Sequence, residues 1–163
     1  MWYLVILPAV VVCVLVAARR RWVVVRVTGP SMAPTYRPGD RVLIRRVAGS
    51  KLRRGQVVVF ESAREGRWRT GPLPAPEGAK WLIKRVAALP GDPVPPDVAR
   101  VVHAFDGALV PEGRLVVVGD GELSADSRHW GYLPADRVLG VVVRGLSPAR
   151  TQSGEAAASE AGS

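Results

Sequence analysis

The 163 residues suffice for one domain with an appendage, and the single cysteine, Cys13, excludes an internal disulfide. The formal net charge of +9 comes from 20 Arg and 3 Lys against 14 acidic residues, a balance that points to an anionic partner, either nucleic acid or a lipid surface. No His/Cys/Asp cluster stands at ligand spacing, so neither a metal nor a cofactor is implied.

Residues 2–18 carry no charge, a length at the short end of the range for a membrane-spanning helix. Trp2 and Tyr3 at one end and Trp22 beyond the other are placed like interfacial anchors. Pro8 is tolerated where such a helix bends. A cleaved signal peptide is the competing reading, but a basic n-region is missing and Val16-Ala17-Ala18 before three arginines is a poor cleavage site. The expectation is an uncleaved transmembrane anchor over 1–18. A basic juxtamembrane segment and first strand follow over 19–26. Arg19, Arg20, Arg21 and Arg26 adjoin the apolar run, which favours anionic membrane lipid over nucleic acid as the partner.

Strands are predicted at 22–27, 41–45, 56–60, 81–86, 115–118 and 137–143, each short and rich in β-branched residues. Between the third and fourth, residues 61–79 hold Gly66, Gly71, Pro72, Pro74, Pro76 and Gly78 and read as a mobile surface excursion. Strands this frequent, with no long amphipathic helix, predict a mainly β domain of coiled or barrel-like antiparallel sheets over 27–150. From Thr151 the tail is almost only Ser, Gly, Ala and Glu and reads as disordered.

Two polar residues stand out against this background. In Thr28-Gly29-Pro30-Ser31-Met32-Ala33-Pro34-Thr35, two prolines flank a serine and constrain Gly29 and Ala33, giving a stiff, non-helical loop that holds one hydroxyl in place. In Leu82-Ile83-Lys84-Arg85-Val86, strand alternation puts Lys84 on one face with Leu82 and Val86. A serine hydroxyl needs a base to become a nucleophile. Lysine can serve if burial without a counter-ion lowers its pKa from about 10.4 by as much as ~3–5 units. The two histidines, His103 and His129, stand where ordinary structural roles account for them.

Three ordered blocks carry a family resemblance. They are Gly29-Pro30-Ser31-Met32-Ala33-Pro34-Thr35 with Arg37-Pro38-Gly39-Asp40; Lys84-Arg85-Val86 with Leu89-Pro90-Gly91-Asp92; and Gly119-Asp120 followed by Ser124-Ala125-Asp126-Ser127-Arg128 and Gly131. Over Val27 to Gly145 the chain resembles the type I signal peptidases, Ser/Lys-dyad membrane proteases that include the mitochondrial inner-membrane peptidases. The resemblance implies Ser31 as nucleophile, Lys84 as general base and Ser124 as the hydroxyl that orients its amine. Asp126 and Arg128 are expected in support, as an ion pair shaping the loop. The oxyanion hole would use the Ser31 backbone N–H. Many family members add a hydroxyl two residues before the nucleophile. Here that position is Gly29, so either Thr28 substitutes or the backbone works alone. Gly121-Glu122-Leu123 is also shorter and less polar than the usual Asn-rich stretch.

The resemblance implies precursor proteins with small residues at the first and third positions before the cut. Rival readings are a dedicated maturation protease like those that trim nickel superoxide dismutase precursors, a self-cleaving Ser/Lys repressor, and an inert β scaffold. Sidedness is contested. The arginines after the span argue for a cytoplasmic domain by the positive-inside rule, whereas the resemblance argues for an extracytoplasmic one.

Overall fold

A computed structural model describes residues 2, 6–8, 10–13, 21–75, 79–122 and 124–147. Residues 6–8 and 10–13 of the apolar run are helical. Among the described residues no helix is long and apolar enough to cross a membrane. The rest of the predicted span (1, 3–5, 9 and 14–18), Arg19 and Arg20, and the tail 151–163 lie outside the described residues.

Seven strands form one antiparallel sheet: β1 (Trp22–Arg26), β2 (Arg41–Arg46), β3 (Val57–Glu61), β4 (Trp81–Ala88), β5 (Arg114–Val118), β6 (Leu133–Pro134) and β7 (Val138–Gly145). Their order is β1-β2-β7-β3-β4-β5-β6. The six predicted strands are present within two residues at each end, and β6 is too short to show a pattern. Among the described residues, helical structure beyond the N-terminal run is confined to the single turns α1 (Pro96–Ala99) and α2 (Ser127–Trp130) and two 3-10 turns, Gly49–Lys51 and Ala135–Arg137.

β3 is buried along its whole length because β7 and β4 flank it and both its faces are covered. Val58 and Phe60 point into one apolar cluster, with Val86, Leu115, Val117 and Val141. Val59 points the other way, into a second cluster with Val27, Val42, Ile44 and Leu139. Register shifts between Leu43 and Ile44, Val59 and Phe60, and Val86 and Ala88 interrupt three of the ladders. Such bulges bend strands and increase local twist, which curls the sheet and leaves β1 and β6 as separate edges. A third, smaller cluster under the 89–110 segment joins Ala88, Val98, Val110 and Val116.

The segment expected as a loose excursion over 61–79 is tied to the sheet in its described part. Glu61 is still β3, Arg64 and Arg67 bridge as a tight hairpin, and Trp68 meets Trp130 edge-on at 5.3 Å between centroids. The Arg137 guanidinium donates to the Gly71 carbonyl. Proline and glycine content signalled irregular backbone correctly but could not reveal these distant attachments.

Where β2 and β7 cross, a Cβ on Gly140 would stand 2.3 Å from the Arg45 carbonyl oxygen and 2.8 Å from Ile44 Cγ2. Gly140→Ala is therefore expected to destabilise the fold by about 1–3 kcal/mol, the usual scale of overpacking. Thermal unfolding measures this, and an unchanged midpoint would mean that the two strands separate there at little cost.

Candidate active site

The loop bearing Ser31 is closed at its base by backbone bonds. Val27 N–H donates to Asp40 O at 2.8 Å and Gly39 N–H to Val27 O at 2.7 Å. Gly39 has φ +96°, open to glycine and strained for other residues. Inside the loop, Ala33 N–H donates to Pro30 O, Tyr36 N–H donates to Met32 O, and the fully buried Met32 side chain anchors the turn. Ser31 is thereby held half-buried, with Thr28 exposed beside it. Open space surrounds the Gly29 Cα on the side where a Cβ would project. Local packing thus does not dictate glycine at the position where the resemblance leads to the expectation of a hydroxyl.

The turn after β5 comes up against this loop. Gly121 N–H donates to Ser31 O at 3.1 Å. A Cβ on Gly119 would lie 2.5 Å from Ser31 O and 2.0 Å from Ser124 Oγ, so only glycine lets Ser31 and Ser124 close on the same point. Lys84 sits on β4 opposite Val58 of β3. On its other side the β4–β5 ladder reaches Arg85↔Val118, which makes Lys84 and Gly119 the next positions along. The structure thus brings Ser31, Ser124 and the Lys84 strand together around Gly119.

Lys84 is 2% exposed, forms no ion pair among the described residues, and has its pKa lowered. Burial is the main cause, opposed by Asp126 and assisted by the Arg128 charge. Ser124 Oγ is also buried, with no hydrogen-bond partner among the described residues. Asp126 is fully buried and is gripped by Arg128 through two bonds, Nε to Oδ1 at 2.9 Å and an Nη to Oδ2 at 2.7 Å. Gly119 N–H donates to the same carboxylate. Burial pushes the Asp126 pKa up, but these bonds outweigh it and hold the group at about 2.

Sequence reasoning assigned no role to a second carboxylate network. Arg85 donates to Asp120 through Nε at 2.9 Å and an Nη at 2.5 Å, and its other Nη reaches Gly55 O. Thr35 Oγ1 donates to Asp120 Oδ2 at 2.6 Å. This ties the far end of the Ser31 loop to the residue beside Lys84. The signal was present in the motif neighbours Arg85, Thr35 and Asp120, but their pairing is visible only in three dimensions.

A cleft of about 340 Å³ opens at Ser31, walled by the 25–29 stretch on one side and 80–83 on the other, with Val42 and Val59 among its lining. β5 pairs with β4 only from Arg85 onward. Ladder alternation turns the Ile83 N–H and C=O away from β3, on the side β5 leaves open. A larger cavity of about 1040 Å³ lies elsewhere and holds none of the predicted site residues. The histidines are apart from the cleft lining. His103 is exposed in a turn, and His129 caps α2 by accepting from Asp126 N–H at 3.5 Å. No group of three or more potential metal ligands occurs among the described residues.

The family described as signal peptidase, peptidase S26, matches residues 1–102 and 95–145. A probable signal peptidase I-2 of Synechocystis sp. (strain ATCC 27184 / PCC 6803 / Kazusa) is 29% identical over 130 residues, 68% of this chain and 56% of that protein. Signal peptidase I of Leptolyngbya laminosa is 26% identical over 132 residues, 69% of this chain and 63% of its own length. The chain thus spans between half and two thirds of the length of these two relatives. A solved signal peptidase I from Enterococcus faecalis V583 superposes with a TM-score of 0.34 at 21% identity, covering 56% of this chain and 97% of that one. By the extent of the family match, this chain belongs to the signal peptidase family, peptidase S26.

Proposed function

We propose that the chain is a membrane-anchored serine endopeptidase that removes signal peptides or leader segments from precursor proteins with a Ser31/Lys84 dyad. The observation that carries this reading is the buried Lys84 amine, without an ion-pair partner among the described residues, on the strand beside the point where Ser31 and Ser124 meet. In the neutral form that burial favours, the amine takes the Ser31 Oγ proton as Oγ attacks the scissile carbonyl carbon. The resulting ammonium returns that proton to the departing amine as the C–N bond breaks, leaving an ester on Ser31. Water then attacks the ester, with Lys84 again the base, and releases the new carboxyl end.

Ser124 orients the amine without adding charge, and the Asp126–Arg128 pair shapes the loop that presents it. The Ser31 N–H, which makes no hydrogen bond among the described residues, is the proposed oxyanion donor, with the Thr28 hydroxyl at the cleft rim as a second. In this reading residues 1–18 anchor the chain, Arg19, Arg20, Arg21 and Arg26 meet anionic headgroups, and the protease domain faces the extracytoplasmic side.

Ser31→Ala and Lys84→Ala are each expected to abolish cleavage of a precursor peptide with alanine before the cut, while His103→Ala and His129→Ala keep most of it. Activity within tenfold of the unmodified chain in Lys84→Ala would remove lysine from the mechanism. kcat/KM is expected to rise with pH through the lowered Lys84 pKa and to level off below the free-lysine value of 10.5. Between that lowered pKa and 10.5 the unfolded chain binds more protons than the folded one. Stability should therefore climb with pH across the same window, and Lys84→Met should flatten the climb. A flat kcat/KM from pH 5 to 10 would contradict a lysine base, with pre-steady-state rates used to isolate the chemical step. The placement is checked by adding a protease to intact spheroplasts expressing a C-terminally tagged chain. Survival of the domain until permeabilisation would reverse the orientation.

A further inference from the structure

We infer that Glu61 and Arg137 are positioning residues that lock segment 67–75 as a strap behind the Ser31 cleft, and that Leu73 is the side chain through which the strap tunes what the cleft accepts. The inference takes its substrate, an extended peptide with small side chains before the cut, from the peptidase reading above.

Glu61 and Arg137 are both 2% exposed, and an Arg137 Nη lies 3.3 Å from Glu61 Oε2. A buried ion pair of this kind is frequently no more stabilising than apolar residues of the same size, so stability alone is a weak reason for it. Apart from an Arg137 Nη bond to Asp136 Oδ2 at 2.9 Å, its remaining contacts converge on the strap. Arg137 donates to the carbonyl of Gly71, whose φ of +87° turns the backbone back. Arg69, from the strap itself, places Nε 3.1 Å from Glu61 Oε1 and donates through an Nη to Pro72 O. Two buried charges thereby fix the path of a stretch that has no ladder of its own.

That path sets Leu73 on the buried cluster of Val27, Val42, Ile44, Val59 and Leu139. Val27, Val42 and Val59 of this cluster also line the Ser31 cleft. Leu73 and Leu139 line the 1040 Å³ cavity on the other side. Leu73 therefore backs the layer that separates the two spaces. Withdrawing it leaves the cleft lining unsupported, so small side chains are gripped less well while the catalytic groups around Gly119 are untouched.

The test uses the full chain in detergent with the alanine peptide, comparing Leu73→Ala and the paired replacement Glu61→Leu with Arg137→Met. Each is expected to raise KM about tenfold, the scale of losing part of one leucine's burial, with kcat within about twofold. Loss of uniform binding has that signature, whereas a disturbed dyad lowers kcat. The same ratio is expected in the Kd for the peptide when each variant is made in a Ser31→Ala chain. Unchanged KM and Kd, or a fall in kcat alone, overturns the inference. If the paired replacement does not fold, Leu73→Ala decides. If the unmodified chain binds the peptide but does not cleave it, the peptidase reading fails and the Kd ratio still decides the strap. A chain that does neither overturns both.

Discussion

An ammonium group inside a sheet is costly because burial disfavours its charge, and much of the arrangement around Lys84 follows from that constraint. Pairing with Val58 of β3 fixes Lys84 on the face that also carries Phe60 and Val86, so the side chain is enclosed by apolar strands. A loose carboxylate nearby would restore the charge. Two carboxylates, Asp120 and Asp126, are near enough to raise its pKa, and each is held by its own arginine. Arg85 holds Asp120 and Arg128 holds Asp126, and the Arg128 charge opposes part of the Asp126 attraction at the amine. In the electrostatic balance burial comes first among the causes and the Asp126 attraction second. The Lys84 pKa is thus lowered chiefly by burial, with the Arg128 charge assisting against the Asp126 attraction.

The second requirement is space. Ser31, Ser124 and the β4 strand converge where the backbone of Gly119 passes, and a single methyl there would collide with both serines. Gly121 plays a related part, since a Cβ there would come within 3.0 Å of Pro30 O. The turn after β5 is therefore shaped by what it must not contain. Thr35 and Asp120 then hold the Ser31 loop against that turn from the outside. Geometry at the proposed nucleophile depends on one hydrogen bond from Gly121 to the Ser31 carbonyl and on the clasp that keeps the two loops in register.

Much of this was legible in the sequence for definite reasons. β-branched runs mark strands whatever their partners are, so six of the seven appear in place, and alternation alone put Lys84 with Leu82 and Val86. The two residues of β6 carry no period to read. Pairings across long sequence separations were equally silent. Thr35 with Asp120 and Arg137 with Glu61 are contacts between residues whose immediate neighbours say nothing about each other. The same silence made 61–79 read as an excursion, because its proline and glycine content reports local backbone and not the buried guanidinium that holds Gly71. The Gly29 departure left the side-chain oxyanion donor open between Thr28 and the backbone alone. Open space lies where a Gly29 Cβ would project, and Thr28, Gly29 and Ser31 all line the cleft.

The shape of the cleft bears on how the proposed substrate is read. One wall continues from the free edge of β1, and the other is the part of β4 that β5 leaves uncovered. An extended peptide lying between them can exchange backbone hydrogen bonds with the outward-facing groups of Ile83, as a strand added to a sheet edge does. In an extended chain alternate side chains point the same way. Alternate residues of such a peptide would then face the Val42 and Val59 side of the cleft, and those between them would face out. A cleft of about 340 Å³ with Val42 and Val59 in its lining leaves room there for small side chains. The first-and-third preference implied by the family resemblance is on this view a consequence of strand periodicity meeting one walled floor, and it needs no separate recognition residue for each position.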